Sequence, residues 1–271
     1  MIIFVVLRIL PGDPLVAILG VEGHARMLPA DRVRIMADLG LSDPLPLQYL
    51  HRGPLSAEIA LLALIVSWLV GLPAGIASAV RPNGWLDAFA RVVSIVFIAV
   101  PGFWLGLLIV LALLFWFGYK APIIIVHVWV NPWQNLQQVI GPAVVLGLAQ
   151  GAYISRMSRS CLLEVIREDY VRTARAKGAA EKAVVLRHAL PNAILPVITI
   201  SGVLLGFVLG GSVAVEQAFG VPGLGRALVT AIIERDIIVV QNLVLLYAAI
   251  FVIVNVLVDL SYAWLDPRIR Y

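Results

Sequence analysis

The sequence predicts an all-α integral membrane protein, a six-span helical bundle, and three observations carry that prediction. Apolar residues are 61% of the chain and charged ones 13%, against about half and about a quarter in soluble domains. Several stretches of more than twenty residues carry no formal charge, enough helix to cross about 30 Å of hydrocarbon. Within them glycines recur at four-residue spacing (Gly71/Gly75, Gly102/Gly106, Gly147/Gly151, Gly202/Gly206/Gly210), which lets helix backbones approach closely in lipid. A soluble enzyme, a disordered chain and a disulfide scaffold are excluded, because too little polar surface remains to cover a globule. The segments are continuous rather than alternating, so helices and not barrel strands satisfy the backbone.

Each span follows from the charge map. Met1 to Leu10 is apolar apart from Arg8 and stops at Pro11-Gly12-Asp13-Pro14. It lacks a basic leader region and a small-residue cleavage site, so it predicts the end of a first span whose upstream half lies outside this sequence. The complete spans are placed at about 59–80, 92–117, 139–160, 190–212 and 240–264. The fourth uncharged stretch begins near 121, but Pro122, Asn131, Pro132 and Asn135 predict a break in its first half. Trp68, Trp85, Trp116, Trp129, Trp133 and Trp264 fall near predicted span ends, as interfacial anchors do, and Trp104 lies deeper, as packing.

The net charge of +4 reports orientation in a membrane protein rather than nucleic-acid binding. Segments 81–91, 155–189 and 266–271 carry twelve Lys and Arg, and the alternate segments carry seven. The excess predicts that the first group is cytoplasmic, with both termini inside. The lone Cys161 cannot form an intrachain disulfide, and His24, His51, His127 and His188 are scattered. No metal site and no redox role are expected.

The most informative stretch is the basic loop 164–191. Its run Glu168-Asp169-Tyr170-Val171-Arg172-Thr173-Ala174-Arg175-Ala176-Lys177-Gly178 places acids first and bases last, matching a helix dipole, with Gly178 at the position after the helix end. A second short helix is predicted over about 180–190, with Pro191 marking the return to the membrane. Composition alone favours an ordinary basic loop anchored to anionic headgroups.

The residue pattern is more specific than the composition. Arg172-Thr173-Ala174, then Gly178, then Leu190-Pro191 resembles the cytoplasmic loop signature of permease subunits of ATP-binding-cassette importers. That signature is Glu-Ala-Ala, three residues, Gly, nine residues, Ile, one residue, Leu-Pro. Arg172 and Thr173 replace its first two residues and His188 stands at the Ile position. These departures resemble the dipeptide, oligopeptide and nickel branch. Leu10-Pro11-Gly12-Asp13-Pro14, the outer-loop run from Glu216 through Phe219 to Pro222-Gly223-Leu224-Gly225, and Asp266-Pro267-Arg268-Ile269-Arg270-Tyr271 resemble the same branch. Between Gln48-Tyr49-Leu50 and Leu55 only His51-Arg52-Gly53-Pro54 stands, where that branch carries a longer outer segment. The expectation is that residues are omitted there, and that the outer segment around 123–138 is also cut.

The resemblance implies the bundle of a type I ABC importer permease, forming half of a pathway for short peptides. It implies a second homologous permease subunit, two ATP-binding subunits, an extracytoplasmic substrate-binding protein and the lipid bilayer of the inner membrane. No run matches the P-loop pattern Gly-x-x-x-x-Gly-Lys-[Ser/Thr], so ATP and Mg belong to the partner ATPases and this chain is neither an enzyme nor a cofactor binder. Gly220-Val221-Pro222-Gly223-Leu224-Gly225 reads as a turn and not a phosphate cradle. Arg172, Thr173, Ala174, Arg175, Lys177, Gly178, Leu190 and Pro191 are the implied ATPase-coupling residues. Asn255 and Asp259, one turn apart in the last span, are candidates for lining the pathway. Asp259 is alternatively paired with an arginine such as Arg268, and Glu216 is expected to pair with Arg226. Nickel or glutathione import is the alternative cargo; a secondary transporter and a membrane anchor are alternatives of other classes. A cysteine introduced at position 178 is expected to resist a membrane-impermeant maleimide added outside intact cells, and efficient labelling there contradicts this topology.

Overall fold

The computed structural model describes residues 45–118 and 125–265, with side chains at 45–48, 117, 209, 211, 259 and 261–265 outside the description. The partial first span at 1–10, the segments Leu10 to Pro14 and Asp266 to Tyr271, and Arg268 lie outside the described residues. Among the described residues all regular structure is helical. The elements are α1 (Leu45–Val80), α2 (Trp85–Ala99), α3 (Gly102–Phe117), α4 (Pro132–Val165), α5 (Asp169–Ala176), α6 (Glu181–Ala193), α7 (Leu195–Phe219), α8 (Leu224–Ile233) and α9 (Ile237–Leu265).

The centre is the pair α1 and α4, which lie side by side and parallel. Gly71 meets the Gly151 backbone, and a Cβ at Gly147 would stand 2.6 Å from Val66 Cβ and 2.8 Å from the Ala63 carbonyl. Further along, Gly75 abuts the Ser155 carbonyl and Ala79 packs with Cys161 and Leu162. The four-residue glycine spacing is therefore a seam between two backbones. Because the pair is parallel, α2 and α3 together must carry the chain back across once. The same glycine logic joins α7 to α9 in antiparallel order, Gly202 against Val258 and Gly206 against Phe251. Gly210 has no atom within 4 Å of a built Cβ and is not part of any seam.

Charge counting over 92–117 predicts one straight span; the structure bends it. α2 ends at Ala99, Val100 is extended (φ −83°, ψ 124°), and α3 starts after Pro101 at 97° to α2. A residue before proline is pushed out of helical geometry, which is the cause of the break. Pro132 and Asn135, expected to interrupt the next span, instead begin it. Asn131 Oδ1 accepts the Gln134 N–H (3.2 Å) as a cap, and Pro132 takes the first helical position, where no N–H is needed. Pro191 likewise ends nothing. α6 passes through it with a π-helical stretch at Val184–Ala189, and the 52° bend to α7 comes at Ile194.

The core has two main bodies. One joins Leu55, Ile59, Ala60 and Ala63 of α1 to Val139 and Val145 of α4 and Val208, Val215 and Phe219 of α7. The other, at the end of the bundle holding the 164–191 loop, joins α1 and α4 to α5 and α6. Outward-facing Leu61, Leu69, Phe207, Leu245, Val252 and Leu260 are all more than half exposed, the pattern of surfaces solvated by lipid or by partner helices rather than water. Trp104, expected to pack, is 48% exposed, whereas Trp68 is the tryptophan that docks, donating from Nε1 to Ser201 Oγ (2.9 Å). Gly147→Leu is expected to overpack the α1–α4 seam by about 1–3 kcal/mol and lower the thermal midpoint of the detergent-solubilised protein. Gly210→Ala is expected to leave it unchanged, and equal tolerance of both contradicts the seam.

Candidate functional site

The loop helices are held as a rigid unit. α5 follows the dipole rule, with Asp169 in its first turn and Arg175 in its last. It ends in a Schellman motif: Gly178 is left-handed (φ +81°), its N–H bonds the Arg175 carbonyl (2.9 Å), and the Ala179 N–H bonds the Ala174 carbonyl (3.3 Å). Ala174 and Ala179 both pack on the local core, the apolar contact that accompanies such ends.

α5 docks on the bundle through Val171, which is wholly buried among Leu162, Val184, Val185 and Ala189. Two polar ties then join α5 to α6. Arg175 grips Glu181 with both arms, Nε to Oε2 at 3.0 Å and Nη2 to Oε1 at 2.7 Å. The bidentate guanidinium also pulls the Glu181 carboxyl below the usual carboxylate range. Asn192 Nδ2 donates to Tyr170 Oη (2.7 Å).

The structure therefore separates the expected coupling residues by what they face. Arg172, Thr173, Lys177, Gly178 and Pro191 are exposed, while Ala174, Arg175 and Leu190 are half-buried. Thr173 Oγ1 returns to the Asp169 carbonyl (2.9 Å), and the Arg172–Asp169 pair at 3.6 Å is fully at the surface, where such pairs add little. The expected pathway pair is described only in part. Asn255 Nδ2 donates to the Phe251 carbonyl of its own helix (2.9 Å), and the Asp259 side chain lies outside the described residues.

Beside the loop sits a polar cluster that sequence patterning misses. Asp87, buried at the start of α2, receives Arg159 of α4 in a fork, Nε to Oδ1 at 2.7 Å and Nη2 to Oδ2 at 3.0 Å. Ser78 of α1 donates to Oδ1, and the Asn83 N–H donates to Oδ2 (2.9 Å). Arg91 stands 3.4 Å away. One carboxylate thus ties α1, α2 and α4 at the end where the loop docks. The available signal was Arg159 itself, an arginine inside a predicted span, which requires a buried partner.

At the opposite end, Glu216 is fully buried. The expected pair with Arg226 forms differently. Glu216 Oε2 accepts the backbone N–H groups of Gly225 (2.8 Å) and Arg226 (3.2 Å), while the Arg226 guanidinium donates to the Gly220 carbonyl (2.6 Å). Charge sign suggests the side chain as partner, but the open N–H groups at the start of α8 are nearer and aligned.

Residues 71–271 match the binding-protein-dependent transport system inner membrane component. The chain belongs to that family. It is a permease subunit of an ABC importer and a membrane-spanning protein, which displaces the secondary-transporter and anchor readings. The matched region contains the loop, the Asp87–Arg159 cluster and Glu216. A Brucella abortus (strain 2308) protein named as a peptide transport system permease is 36% identical, covering 99% of this chain and 92% of the relative. The glutathione transport system permease GsiC of Pectobacterium atrosepticum is 37% identical, covering 100% and 93%.

Among solved folds, an inward-facing MetNI methionine ABC transporter chain matches at a TM-score of 0.67 and 19% identity, covering 83% of this chain and 99% of that one. An amino acid ABC transporter chain matches at 0.59 and 18%, covering 80% and 92%. The type I permease fold is shared. The alignments to the permease relatives run over 294 and 296 positions, more than the 271 residues of this sequence, so those relatives carry internal residues with no counterpart in it.

Arg159→Leu is expected to strand the Asp87 carboxylate and cost about 3–5 kcal/mol, the penalty for removing one partner of a buried pair. The readout is the thermal midpoint and membrane abundance of the permease. A midpoint within a degree of wild type contradicts the assignment of Asp87 as the tie among the three helices.

Proposed function

We infer that this permease works as one of two homologous subunits forming the pathway of an ATP-driven importer for short peptides. The observation that carries the reading is similarity along the full chain to permeases named for peptide and glutathione transport. Glutathione is itself a tripeptide, so both names point to one chemical class, a short peptide backbone. The 37% full-length relative keeps glutathione as the second reading.

The partners in this reading are a second permease, two ATPase subunits that bind ATP and Mg, and an extracytoplasmic binding protein that sets most of the selectivity. The chain lies in the inner membrane with the 164–191 loop and both termini in the cytoplasm, and it holds no cofactor and catalyses nothing alone. The loop suits mechanical coupling because it is stiff and anchored. Val171 fixes α5 to the core, Arg175 and Glu181 lock it to α6, and α6 continues into α7. The exposed Arg172, Thr173, Lys177, Gly178 and Pro191, with the half-buried Leu190, form the face offered to an ATPase. A displacement of α5 then moves α4 and α7 together.

Two measurements test this. Uptake of labelled dipeptides, longer peptides, glutathione and Ni²⁺ in a deletion strain is expected to lose peptides first, and loss of Ni²⁺ uptake with peptides intact contradicts the cargo. Gly178→Val meets no steric neighbour but must hold a left-handed backbone, a local cost of about 1–2 kcal/mol. It is expected to leave assembly intact and reduce uptake per ATP hydrolysed; normal coupling there removes Gly178 from the transmission path.

A further inference from the structure

Glu216 is a buried ionisable group that the mechanism above leaves unused. Its surroundings are complete. Oε1 accepts from Ser56 Oγ of α1 (2.9 Å) and Ser212 Oγ of α7 (3.1 Å), and Oε2 accepts from the N–H groups of Gly225 (2.8 Å) and Arg226 (3.2 Å). Ser56 Oγ also accepts the Leu224 N–H (2.8 Å). An ionised carboxylate offers about four acceptor positions, and all four are taken by the chain's own donors. No capacity is left for a ligand, so the group is a fastening and not a substrate contact.

What it fastens is α8. The first N–H groups of a helix have no partner within it, and here Leu224, Gly225 and Arg226 are all satisfied by side chains from α1 and α7. The glycines are required by the same geometry. A Cβ at Gly223 would run into the Glu216 carboxylate and lie 2.6 Å from Ser56 Oγ, and one at Gly225 would lie 2.6 Å from Val213 Cα. The other end of α8 is equally tight. Arg235 is left-handed (φ +56°), the Asp236 N–H bonds the Ala231 carbonyl (2.8 Å), and Asp236 Oδ1 accepts the Val239 N–H (3.0 Å) at the start of α9. α8 is thus a strut between α1 and α7 on one side and α9 on the other, at the end of the bundle opposite the loop.

We propose that Glu216 is a positioning residue for translocation: it clamps α8 so that α1, α7 and α9 move as one body when driven from the loop end. The transport consequence rests on the importer reading; the clamp itself does not. Glutamine can reproduce the geometry without charge, its carbonyl oxygen accepting both N–H groups and its amide donating to the two serine hydroxyls. Alanine cannot.

The test compares wild type, Glu216→Gln and Glu216→Ala in the complete complex in lipid nanodiscs. Hydrogen exchange at amides 224–226 reads the clamp. Uptake of a labelled dipeptide and ATP turnover by reconstituted complex read its consequence. Glu216→Ala is expected to speed exchange at these amides by about tenfold or more, and to cut uptake by a similar factor while turnover of ATP persists. Glu216→Gln is expected to stay within about threefold of wild type on all three measures. If Glu216→Ala does not accumulate, Ser56→Ala, which removes the acceptor of the Leu224 N–H, is expected to speed exchange at amide 224 by about threefold or more. Slow exchange in the alanine variants overturns the clamp, and so does a glutamine variant as defective as alanine. Fast exchange with normal uptake overturns its role in transport. Absence of dipeptide uptake by the wild type sinks the importer reading alone, since the exchange contrast still decides the clamp.

Discussion

The structure depends on the close approach of α1 and α4. In lipid no water drives helices together, so association comes from van der Waals contact and the few hydrogen bonds available. Gly71 against Gly151 and Gly147 against Val66 bring two backbones near enough for that contact to be extensive. Because the pair is parallel, the chain must cross back between them, which assigns α2 and α3 their single bent passage. It also brings Ala79 beside Cys161 and Leu162, and these form the floor on which Val171 of α5 sits. A seam in the middle of the bundle therefore determines where the loop helices can dock.

Two buried carboxylates mark the two ends of this seam, and they solve the same problem differently. Asp87 is neutralised by the Arg159 guanidinium in bidentate contact. Glu216 meets no cation among the described residues and is held by helix N–H groups and hydroxyls, where the α8 dipole supplies the favourable field. Each gathers groups from several helices. These two carboxylates of the permease thus stand where several helices must be kept in register, while the outward-facing Leu61, Leu69, Phe207 and Leu245 keep the sides apolar. Rigid ends joined by long α1 and α4 are what a device that rotates helices as bodies needs.

How much of this was legible varies with the range of the interaction. Gly178 is legible because a helix end obeys local rules: acids before, bases near the end, glycine after. The glycine seam is legible because four-residue spacing is itself the contact pattern. The bend at Val100 and Pro101 is written in the proline, but charge counting ignores backbone chemistry. Pro132 shows the opposite failing, since a proline after Asn131 starts a helix as readily as it breaks one. Asp87 and Arg159 are 72 positions apart, and no local pattern links them. For Glu216 the neighbourhood is legible and the partner is not, because sequence displays side-chain charge and hides free backbone donors. The Asp259 environment depends on side chains outside the description.

In the proposed mechanism the loop transmits ATPase motion through a rigid α5. A photo-crosslinking amino acid at Arg172, whose side chain is 75% exposed, tests it directly in membranes containing the whole transporter. The account predicts a crosslink to an ATPase subunit, strengthened or weakened by nucleotide. The same probe at Val171, buried against α6, should crosslink only within the permease. Capture of lipid alone from position 172, with the ATPase bound, would contradict the account.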